Sequence, residues 1–329
     1  MYVMLAFNQT IEDKNFYYLS GIEEHCKGVV VYDGEARVIA SPLESEIAKK
    51  YVNTSVYKDS KEFWELLIEE TKSKQRIGLD FSRITLSAFD KLKKNMGCEF
   101  YDVSKKLKEM RMIKNKDEIE KIRKAGEIAS ECIEEIREFI QSGVTELEIK
   151  AELERIAIIK GVGNFGFETI IASGKNSAIP HAVPSTRKIR KGDVILIDFG
   201  PSYKMYFSDI SRTFRLGKDV EFTNRYESVL EAQKNVIDAV YDGTVISDLQ
   251  EVSEKTIGKM IHALGHGLGL DIHEAPSFSK KTKLIEGNVF TIEPGIYDKF
   301  GVRIEDVVNI AKKSNLLTNA PKNIDFAVI

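Results

Sequence analysis

The chain has 329 residues, of which 43% are hydrophobic and 30% are charged, and its formal net charge is -3. This length predicts two domains, and this balance is typical of a globular protein rather than a disordered one. Lysine plus arginine (48) nearly equals aspartate plus glutamate (51), so no basic excess argues for a nucleic-acid partner.

Three cysteines lie far apart in the sequence, at Cys26, Cys98 and Cys132. An odd, scattered set indicates neither a disulfide framework nor a thiolate metal cluster, and it is typical of the reducing cytoplasm. The N-terminus lacks a basic leader, and no apolar run approaches the ~20 residues that a membrane helix needs. We therefore expect a cytoplasmic protein that has no membrane partner.

Residues 1–110 have the pattern of a small α/β domain, with short apolar runs separated by glycines. The predicted elements are a hairpin around Asp33-Gly34, a helix over 61–71, a strand over 76–80 and a helix over 85–96. No constellation of residues in this part indicates chemistry. We expect it to be a structural or partner-facing domain.

The pattern changes near residue 110, and residues 111–329 form the second predicted domain. Apolar residues recur at three- and four-residue steps over 114–140, which predicts a long amphipathic helix. Thr145 and Glu148 have the spacing of a capping box, so a second helix is expected to follow directly. Later elements are predicted as strands over 167–172, 193–199, 206–214, 288–292 and 302–310, and as helices over 224–241 and 247–263. Helix pairs with mostly antiparallel strands indicate an α+β domain.

Two aspartates follow apolar runs in consecutive predicted strands. Alternation puts Val194, Leu196 and Asp198 on one face of a strand, and Asp209 lies in the next strand. If these strands pair through a turn at 201–204, Asp198 and Asp209 face each other. Two buried carboxylates this close repel, so one must take up a proton or a cation. A divalent metal ion resolves the conflict.

Three further residues extend this set. Glu293 ends an apolar strand, and Glu305 lies among apolar residues in the segment 302–306. His266 lies in Gly265-His-Gly-Leu-Gly, where the glycines are expected to let the backbone approach a ligand. Four carboxylates and one imidazole suit two bridged Mn²⁺, Co²⁺, Fe²⁺ or Zn²⁺ ions better than a thiolate-based structural zinc.

Each residue taken alone also has a structural interpretation. A lone aspartate at a strand end is usually a cap or an ion-pair partner, and is functional in about one case in five. His262 and His266 have the spacing of the zinc-protease helix motif, but the glutamate that this motif requires is absent. The glycines around His266 do not follow a strand at the spacing of a dinucleotide-binding loop. His181 or His273 alone is as typical of a structural histidine as of a catalytic one.

In combination, these motifs resemble the superfamily of methionine aminopeptidase, Xaa-Pro dipeptidase and aminopeptidase P, the pita-bread peptidases. The resemblance covers residues ~110–315, and the combination is specific. The matching segments are Ile179-Pro-His181, Ile195-Leu-Ile-Asp198-Phe-Gly, Ser208-Asp209-Ile-Ser-Arg-Thr, His262-Ala-Leu-Gly-His266-Gly-Leu-Gly-Leu-Asp-Ile-His273-Glu, Thr291-Ile-Glu293-Pro-Gly and Val302-Arg-Ile-Glu305-Asp. The resemblance predicts a C-terminal pita-bread fold, preceded by the smaller creatinase-type α/β domain of prolidases and aminopeptidases P.

The resemblance also implies two divalent metal ions, which activate a water molecule for attack on the scissile carbonyl. Their identity stays open among manganese, cobalt, iron and zinc. The implied metal ligands are Asp198, Asp209, His266, Glu293 and Glu305.

Other matching residues take catalytic or supporting roles by the same resemblance. Glu293 moves the proton from the nucleophile to the leaving nitrogen, and His181 and His273 orient the substrate and stabilise the oxyanion. His262 is expected to shape the proline pocket, and Arg303 to pair with a ligand carboxylate.

The expected function is hydrolysis of the Xaa-Pro bond of dipeptides, so the partner is a small peptide with proline in second position. The alternative is an aminopeptidase P that acts on longer Xaa-Pro peptides. Several similar dipeptidases carry an arginine shortly after the His-Glu pair, where Ser277 stands here. Lys280, Lys281 and Lys283 are nearby candidates to bind a dipeptide's carboxylate.

Two further alternatives keep the fold and lose the metals: a metal-free creatinase-like hydrolase and a protein-binding module. Both are disfavoured because no metal ligand is missing. A homodimer is expected from the resemblance.

Overall fold

The chain divides into two compact units, Met1–Arg111 and Met112–Ile329. The computed structural model describes residues 3–9, 12–72, 76–278, 281–311 and 313–329. Lys280, one of the candidate cations, lies outside these residues. Among the described residues, none of the helices has the length and apolar character needed to cross a bilayer.

The first unit is built on a mixed sheet whose strands lie in the order β4-β3-β2-β1-β5-β6. Its strands are β1 (Val3–Asn8), β2 (Gly28–Tyr32), β3 (Ala36–Ala40), β4 (Asn53–Val56), β5 (Arg76–Leu79) and β6 (Glu99–Asp102). Its helices are α1 (Lys14–Ser20), α2 (Pro42–Ala48), α3 (Ser60–Thr71), α4 (Leu86–Asn95) and α5 (Ser104–Met112). The Asp33-Gly34 turn joins β2 to β3, which pair antiparallel as predicted.

Three neighbouring pairs of strands in this sheet are parallel, namely β3–β4, β1–β5 and β5–β6. Parallel neighbours need crossover connections, and helices supply them here. Apolar side chains of the strands pack with those of α3 and α4, represented by Leu67 and Leu92, into one core. The unit is therefore the small α/β domain that the sequence predicts.

The helices of the second unit begin where their capping residues stand. The helices are α6 (Lys116–Arg137), α7 (Glu146–Ile159), α8 (Val220–Asp238), α9 (Ile246–Ile257) and α10 (Ile324–Ala327). Thr145 and Glu148 form the predicted capping box at α7, and Asn115 and Glu118 form another at α6. The prediction that α9 extends to residue 263 is wrong, because the chain turns at Gly258 with a φ of 79°.

The strands of the second unit pair antiparallel in several small sheets. The strands are β7 (Ile170–Ser173), β8 (Val194–Phe199), β9 (Ser202–Tyr203), β10 (Tyr206–Phe207), β11 (Ile210–Arg215), β12 (Val289–Ile292), β13 (Gly295–Tyr297), β14 (Gly301–Arg303), β15 (Asp306–Ile310) and β16 (Ser314–Leu316). The orders are β11-β8-β7, β12-β15-β16, β13-β14 and β10-β9. Helices α6 and α7 pack on the first of these sheets, and α8 and α9 on the second. This is the predicted antiparallel sheet flanked by helix pairs.

Candidate metal centre

A cavity of about 820 Å³ opens in the second unit. Its wall combines acidic and imidazole side chains with apolar ones. The polar members are Glu168, His181, Asp198, Asp209, His262, His266, His273, Glu293, Arg303 and Glu305. All nine side chains that the sequence singles out therefore line the same cavity, and Glu168 joins them.

Strand pairing brings Asp198 and Asp209 together. In the β8–β11 ladder, Ser211 lies opposite Asp198, and Asp209 lies two residues before Ser211 on the same face. Both aspartates are buried, with 8% and 3% of their surface exposed. The predicted turn at 201–204 is wrong. The chain instead reverses at Lys204 and Met205, whose φ angles of 47° and 70° form the two-residue turn of the β9–β10 hairpin.

Two predicted strands are interrupted at a carboxylate. Asp209 falls between β10 and β11, and Glu305 falls between β14 and β15. Glu305 keeps a single bridge to Ser211, in which its N–H donates to the Ser211 carbonyl at 3.1 Å. The Ser211 hydroxyl also donates to the Glu305 carboxylate at 2.7 Å. At each interruption the backbone leaves the regular strand pairing, and the carboxylate lines the cavity.

The His266 segment lies against β12, and Glu293 directly follows this strand. The Thr291 N–H donates to the His266 carbonyl at 2.8 Å, and the Glu293 N–H donates to the Leu264 carbonyl at 2.9 Å. His266 Nε2 therefore lies 3.5 Å from Asp209 Oδ2 and 3.8 Å from Glu293 Oε1. One ligand atom each from Asp209, His266 and Glu305 fall within 4.8 Å of one another, the spacing of a metal site.

The glycines beside His266 allow close packing within the protein, and Gly265 also lines the cavity. A Cβ at Gly265 would lie 1.9 Å from the Thr291 carbonyl oxygen, and one at Gly269 would lie 2.3 Å from Glu274 Oε1. The space above these glycines is filled by other parts of the protein. They are needed because the His266 segment packs directly on β12 and on the Glu274 side chain.

The buried carboxyls repel one another. Burial raises the pKa of Asp209 well above its usual value, and neighbouring Glu305 and Asp198 add to the shift. Burial likewise raises the pKa of Glu305, with Glu293 as the next cause. The pKa of Glu293 rises to about 7, mainly through burial. In the metal-free protein these carboxyls hold protons that a cation would displace.

The donor set fits a hard divalent ion. Asp198 Oδ1 and Asp209 Oδ1 are buried oxygens without a hydrogen-bond donor among the described residues, which is costly unless a cation binds there. The pKa of His266 falls to about 3, mainly because the ring is buried and secondly because His273 is near. The ring is then neutral, as a metal ligand must be.

Arg303 is held beside these carboxyls by three partners. Its guanidinium donates to Asp198 Oδ2, to the Ser211 hydroxyl at 2.8 Å and to the Tyr297 hydroxyl at 3.1 Å. Although burial opposes its charge, Asp198 raises the pKa of Arg303. Arg303 thus pairs with a predicted ligand. The sequence analysis missed Tyr297, because a tyrosine in a short strand has no distinguishing pattern.

The remaining histidines surround the ligand group. His181 is exposed at the wall of the cavity. His262 Nδ1 lies 3.9 Å from Glu293 Oε2, and its ring meets Tyr297 edge-on at 5.4 Å. The His273 ring lies 4.0 Å from that of His266. Burial lowers the pKa of both His262 and His273, which favours neutral rings that can donate or accept one hydrogen bond each.

The apolar part of the wall was not predicted from the sequence. Phe167 and Ile272 lie on its inner side, and Ile179, Val183 and Ile261 are more than half exposed near its opening. Exposed large apolar side chains that line a cavity are typical of ligand binding. No sequence pattern indicates them, because they come from separate loops.

The comparisons with known proteins agree with the motifs. Residues 120–312 match Metallopeptidase family M24, and residues 4–113 match the Creatinase/Prolidase N-terminal domain. A Xaa-Pro dipeptidase of Pyrococcus furiosus is 39% identical over 313 residues, which are 91% of this chain and 88% of that protein.

Two solved structures extend the likeness to the fold. An X-Pro aminopeptidase from Thermotoga maritima has a TM-score of 0.92 at 32% identity, covering 98% of this chain and 97% of its own. A prolidase from Pyrococcus furiosus has a TM-score of 0.86 at 37% identity, covering 97% and 96%. The resemblance and fold class predicted from the motifs are confirmed. The chain belongs to metallopeptidase family M24, a family of hydrolases that use divalent metal ions, and it carries the creatinase/prolidase N-terminal domain.

Proposed function

We propose that the chain is a Xaa-Pro dipeptidase whose active site holds two divalent metal ions. The observation that carries the proposal is the convergence of the complete donor set on one cavity. The proposed ligands are Asp198, Asp209, His266, Glu293 and Glu305. The Xaa-Pro dipeptidase of Pyrococcus furiosus supports the choice of substrate.

The charge of the cavity is compatible with two divalent ions. Four carboxyls from the ligand set are opposed by one fixed cation, Arg303. Ionisation of all four leaves an excess of three negative charges in a buried place. One divalent ion would leave a net charge of -1 and two would leave +1, which a hydroxide bound with the two ions would neutralise.

The chemistry that bound divalent ions supply is polarisation of the peptide carbonyl and a lowered pKa of water. Glu293 is placed to take the proton of the attacking water and to deliver it to the proline nitrogen, because its carboxylate lines the cavity beside the other ligands. His181 and His273 donate hydrogen bonds to the carbonyl oxygen as charge develops there. Arg303 donates to the Asp198 carboxylate and orients it.

His262 and the apolar wall are proposed to receive the proline ring. His262 packs against Tyr297, so its edge is fixed rather than free to rotate. Phe167 and Ile272 offer the adjoining apolar surface. A rigid, apolar surface of this kind suits the proline ring, which has no N–H of its own to donate.

The length of the peptide is the open choice within this proposal. Arg303 is the one lysine or arginine among the described residues that line the cavity, and it is engaged with Asp198. Ser277, Lys281 and Lys283 are exposed outside this lining. A dipeptide's carboxylate then depends on the histidines, whereas a longer peptide needs no cation. This observation, together with the Thermotoga maritima X-Pro aminopeptidase, keeps an aminopeptidase P as second candidate.

The test is hydrolysis of a matched pair, Ala-Pro and Ala-Pro-Ala, with Mn²⁺ and after exhaustive EDTA dialysis. We expect metal-dependent cleavage of the dipeptide, restored by Mn²⁺ or Co²⁺. Preference for the tripeptide would identify the aminopeptidase P. Undiminished turnover after EDTA would point to a creatinase-like hydrolase, and no turnover with any metal would favour a protein-binding module.

Three further features belong to the proposal. The unit Met112–Ile329 is proposed as the catalytic pita-bread domain, and Met1–Arg111 as the creatinase-type domain. The chain is proposed to act as a homodimer, as expected for this family. The three cysteines are free thiols, two of them buried, which supports a cytoplasmic location.

A further inference from the structure

His266 and His273 are brought together by a loop that has no regular secondary structure. Residues 258–278 contain neither a helix nor a strand. The loop doubles back where the Glu274 N–H donates to the Gly267 carbonyl at 2.8 Å. The Gly267 N–H also donates to the Pro276 carbonyl at 3.3 Å, and the His266 and His273 rings lie 4.0 Å apart. The part of the loop around His273 has further support from side chains.

That support comes from a buried ion pair. Lys114 Nζ lies 2.8 Å from Glu274 Oε1 and donates to the Ala275 carbonyl at 3.3 Å. The two side chains are 1% and 9% exposed. The other carboxylate oxygen of Glu274 accepts the Asp271 N–H at 3.2 Å. Both sides of the loop around His273 are therefore tied to one carboxylate, and that carboxylate is tied to Lys114.

Lys114 is itself fixed from outside the loop. It lies just before α6, and its backbone N–H donates to the Gly287 carbonyl at 2.8 Å, next to β12. The ion pair passes over Gly269, where a Cβ would lie 2.3 Å from Glu274 Oε1 and 3.0 Å from Lys114 Cε. Backbone hydrogen bonds with β12 hold the His266 part of the loop, and the Lys114–Glu274 ion pair adds a side-chain tie to the His273 part.

We propose that Lys114, acting through Glu274, is a positioning residue for His273 in the hydrolytic reaction. This inference rests on the proposed function. Lys114 is not among the described residues that line the cavity. A buried ion pair contributes little net stability, because desolvation offsets most of its attraction. Its benefit here is geometric: it holds an otherwise irregular loop within the tolerance that catalysis requires.

The test is a double-mutant cycle with His273. K114M is expected to lower kcat on Ala-Pro about 10- to 100-fold, the usual effect of displacing a group that orients a catalytic residue. KM should change by less than about 3-fold, because binding survives while transition-state contacts weaken. In the H273A background, K114M should have no further effect. K160M, which removes a surface lysine paired with Glu131 and Glu135, is the matched control and should match the wild type.

K114M leaves Glu274 buried without its partner, so the double variant K114M/E274Q is made alongside it. This variant is neutral at the pair and carries the same prediction. If either variant lowers kcat as much in the H273A background as in the wild type, the role is general stability and the proposal is overturned. The proposal also fails if H273A itself is fully active.

A second measurement does not depend on turnover. In the metal-free protein, backbone amides of residues 266–274 should exchange at least about 10-fold faster in K114M than in K160M, since a local support is lost. Unchanged exchange would refute the positioning role. If the wild type fails to cleave Ala-Pro at all, the proposed function fails, while the exchange result still decides whether Lys114 holds this loop.

Discussion

Replacing Glu293 by glutamine should stabilise the metal-free protein and destroy the enzyme. In the folded, metal-free chain the pKa of Glu293 is about 7, against 4.5 for an exposed glutamate. A raised folded-state pKa means that stability is fully present below pH 4.5 and declines as the pH rises to 7, because the unfolded chain ionises first. At 1.36 kcal/mol for each pKa unit, the loss by pH 8 is about 3 kcal/mol.

Glutamine does not titrate, so E293Q escapes this loss. Its free energy of unfolding should equal that of the wild type at pH 4.5 and exceed it by up to about 3 kcal/mol at pH 8. For a unit of this size, the melting temperature should rise by roughly 6–12 °C. Mn²⁺ at about 1,000 times its Kd should reverse the order, since it stabilises the wild type by about 4.1 kcal/mol. The glutamine amide is a poorer metal ligand than a carboxylate, so Mn²⁺ should stabilise E293Q by less than it stabilises the wild type.

The assay is urea denaturation followed by circular dichroism, at pH 4.5 and pH 8, after dialysis against EDTA and again with Mn²⁺. E251Q makes the same substitution at an exposed position of α9 and serves as control. A metal-free E293Q no more stable than E251Q at pH 8 would refute the inference that Glu293 is held in a proton-binding environment. Retained peptidase activity in E293Q would remove Glu293 from the mechanism.

Three shorter predictions concern the surroundings of the site. R303M should weaken Mn²⁺ binding about 10- to 100-fold, because Asp198 loses the guanidinium that orients it, and titration calorimetry will show this; unchanged affinity would contradict it. T145A should lower the free energy of unfolding by about 1 kcal/mol through loss of the α7 capping box while leaving kcat on Ala-Pro unaltered, and a fall in kcat would count against it. R212M should destabilise the fold by about 3–5 kcal/mol in urea, because it leaves Asp306 with less compensation in the core, and a midpoint like that of the wild type would refute this.

The positions of the site residues in sequence were predictable, but their local geometry was not. Alternation places Asp198 on the correct face of β8, and the Thr145 capping box starts α7 as expected. The interruptions at Asp209 and Glu305 leave no trace in the hydrophobic pattern, since the flanking residues remain apolar. The bridge between Glu305 and Ser211 joins distant parts of the chain, and such contacts are not visible in the local sequence pattern.

The supporting residues escaped prediction for a related reason. Lys114 precedes a highly charged helix, where a lysine is typical of a solvated surface. Its burial follows only once Glu274 is folded over Gly269. The sequence shows that the backbone around His266 has the conformational freedom of glycine. It does not show which atoms pack against these glycines. Packing between β12 and the loop supplies those atoms.

Adjacent Glu305 and Asp306 show how the fold separates a functional acid from a structural one. Asp306 accepts hydrogen bonds from Arg212 and Lys322 at 2.8 and 2.6 Å, and although burial opposes ionisation, Arg212 and Lys322 lower its pKa. Glu305 faces the opposite side, accepts from Ser211, and has a raised pKa because burial and Glu293 oppose its charge. The protein compensates the first acid with its own cations. Burial and Glu293 oppose the charge of the second more strongly than Arg303 relieves it, so Glu305 favours a proton, or a cation from solution in its place.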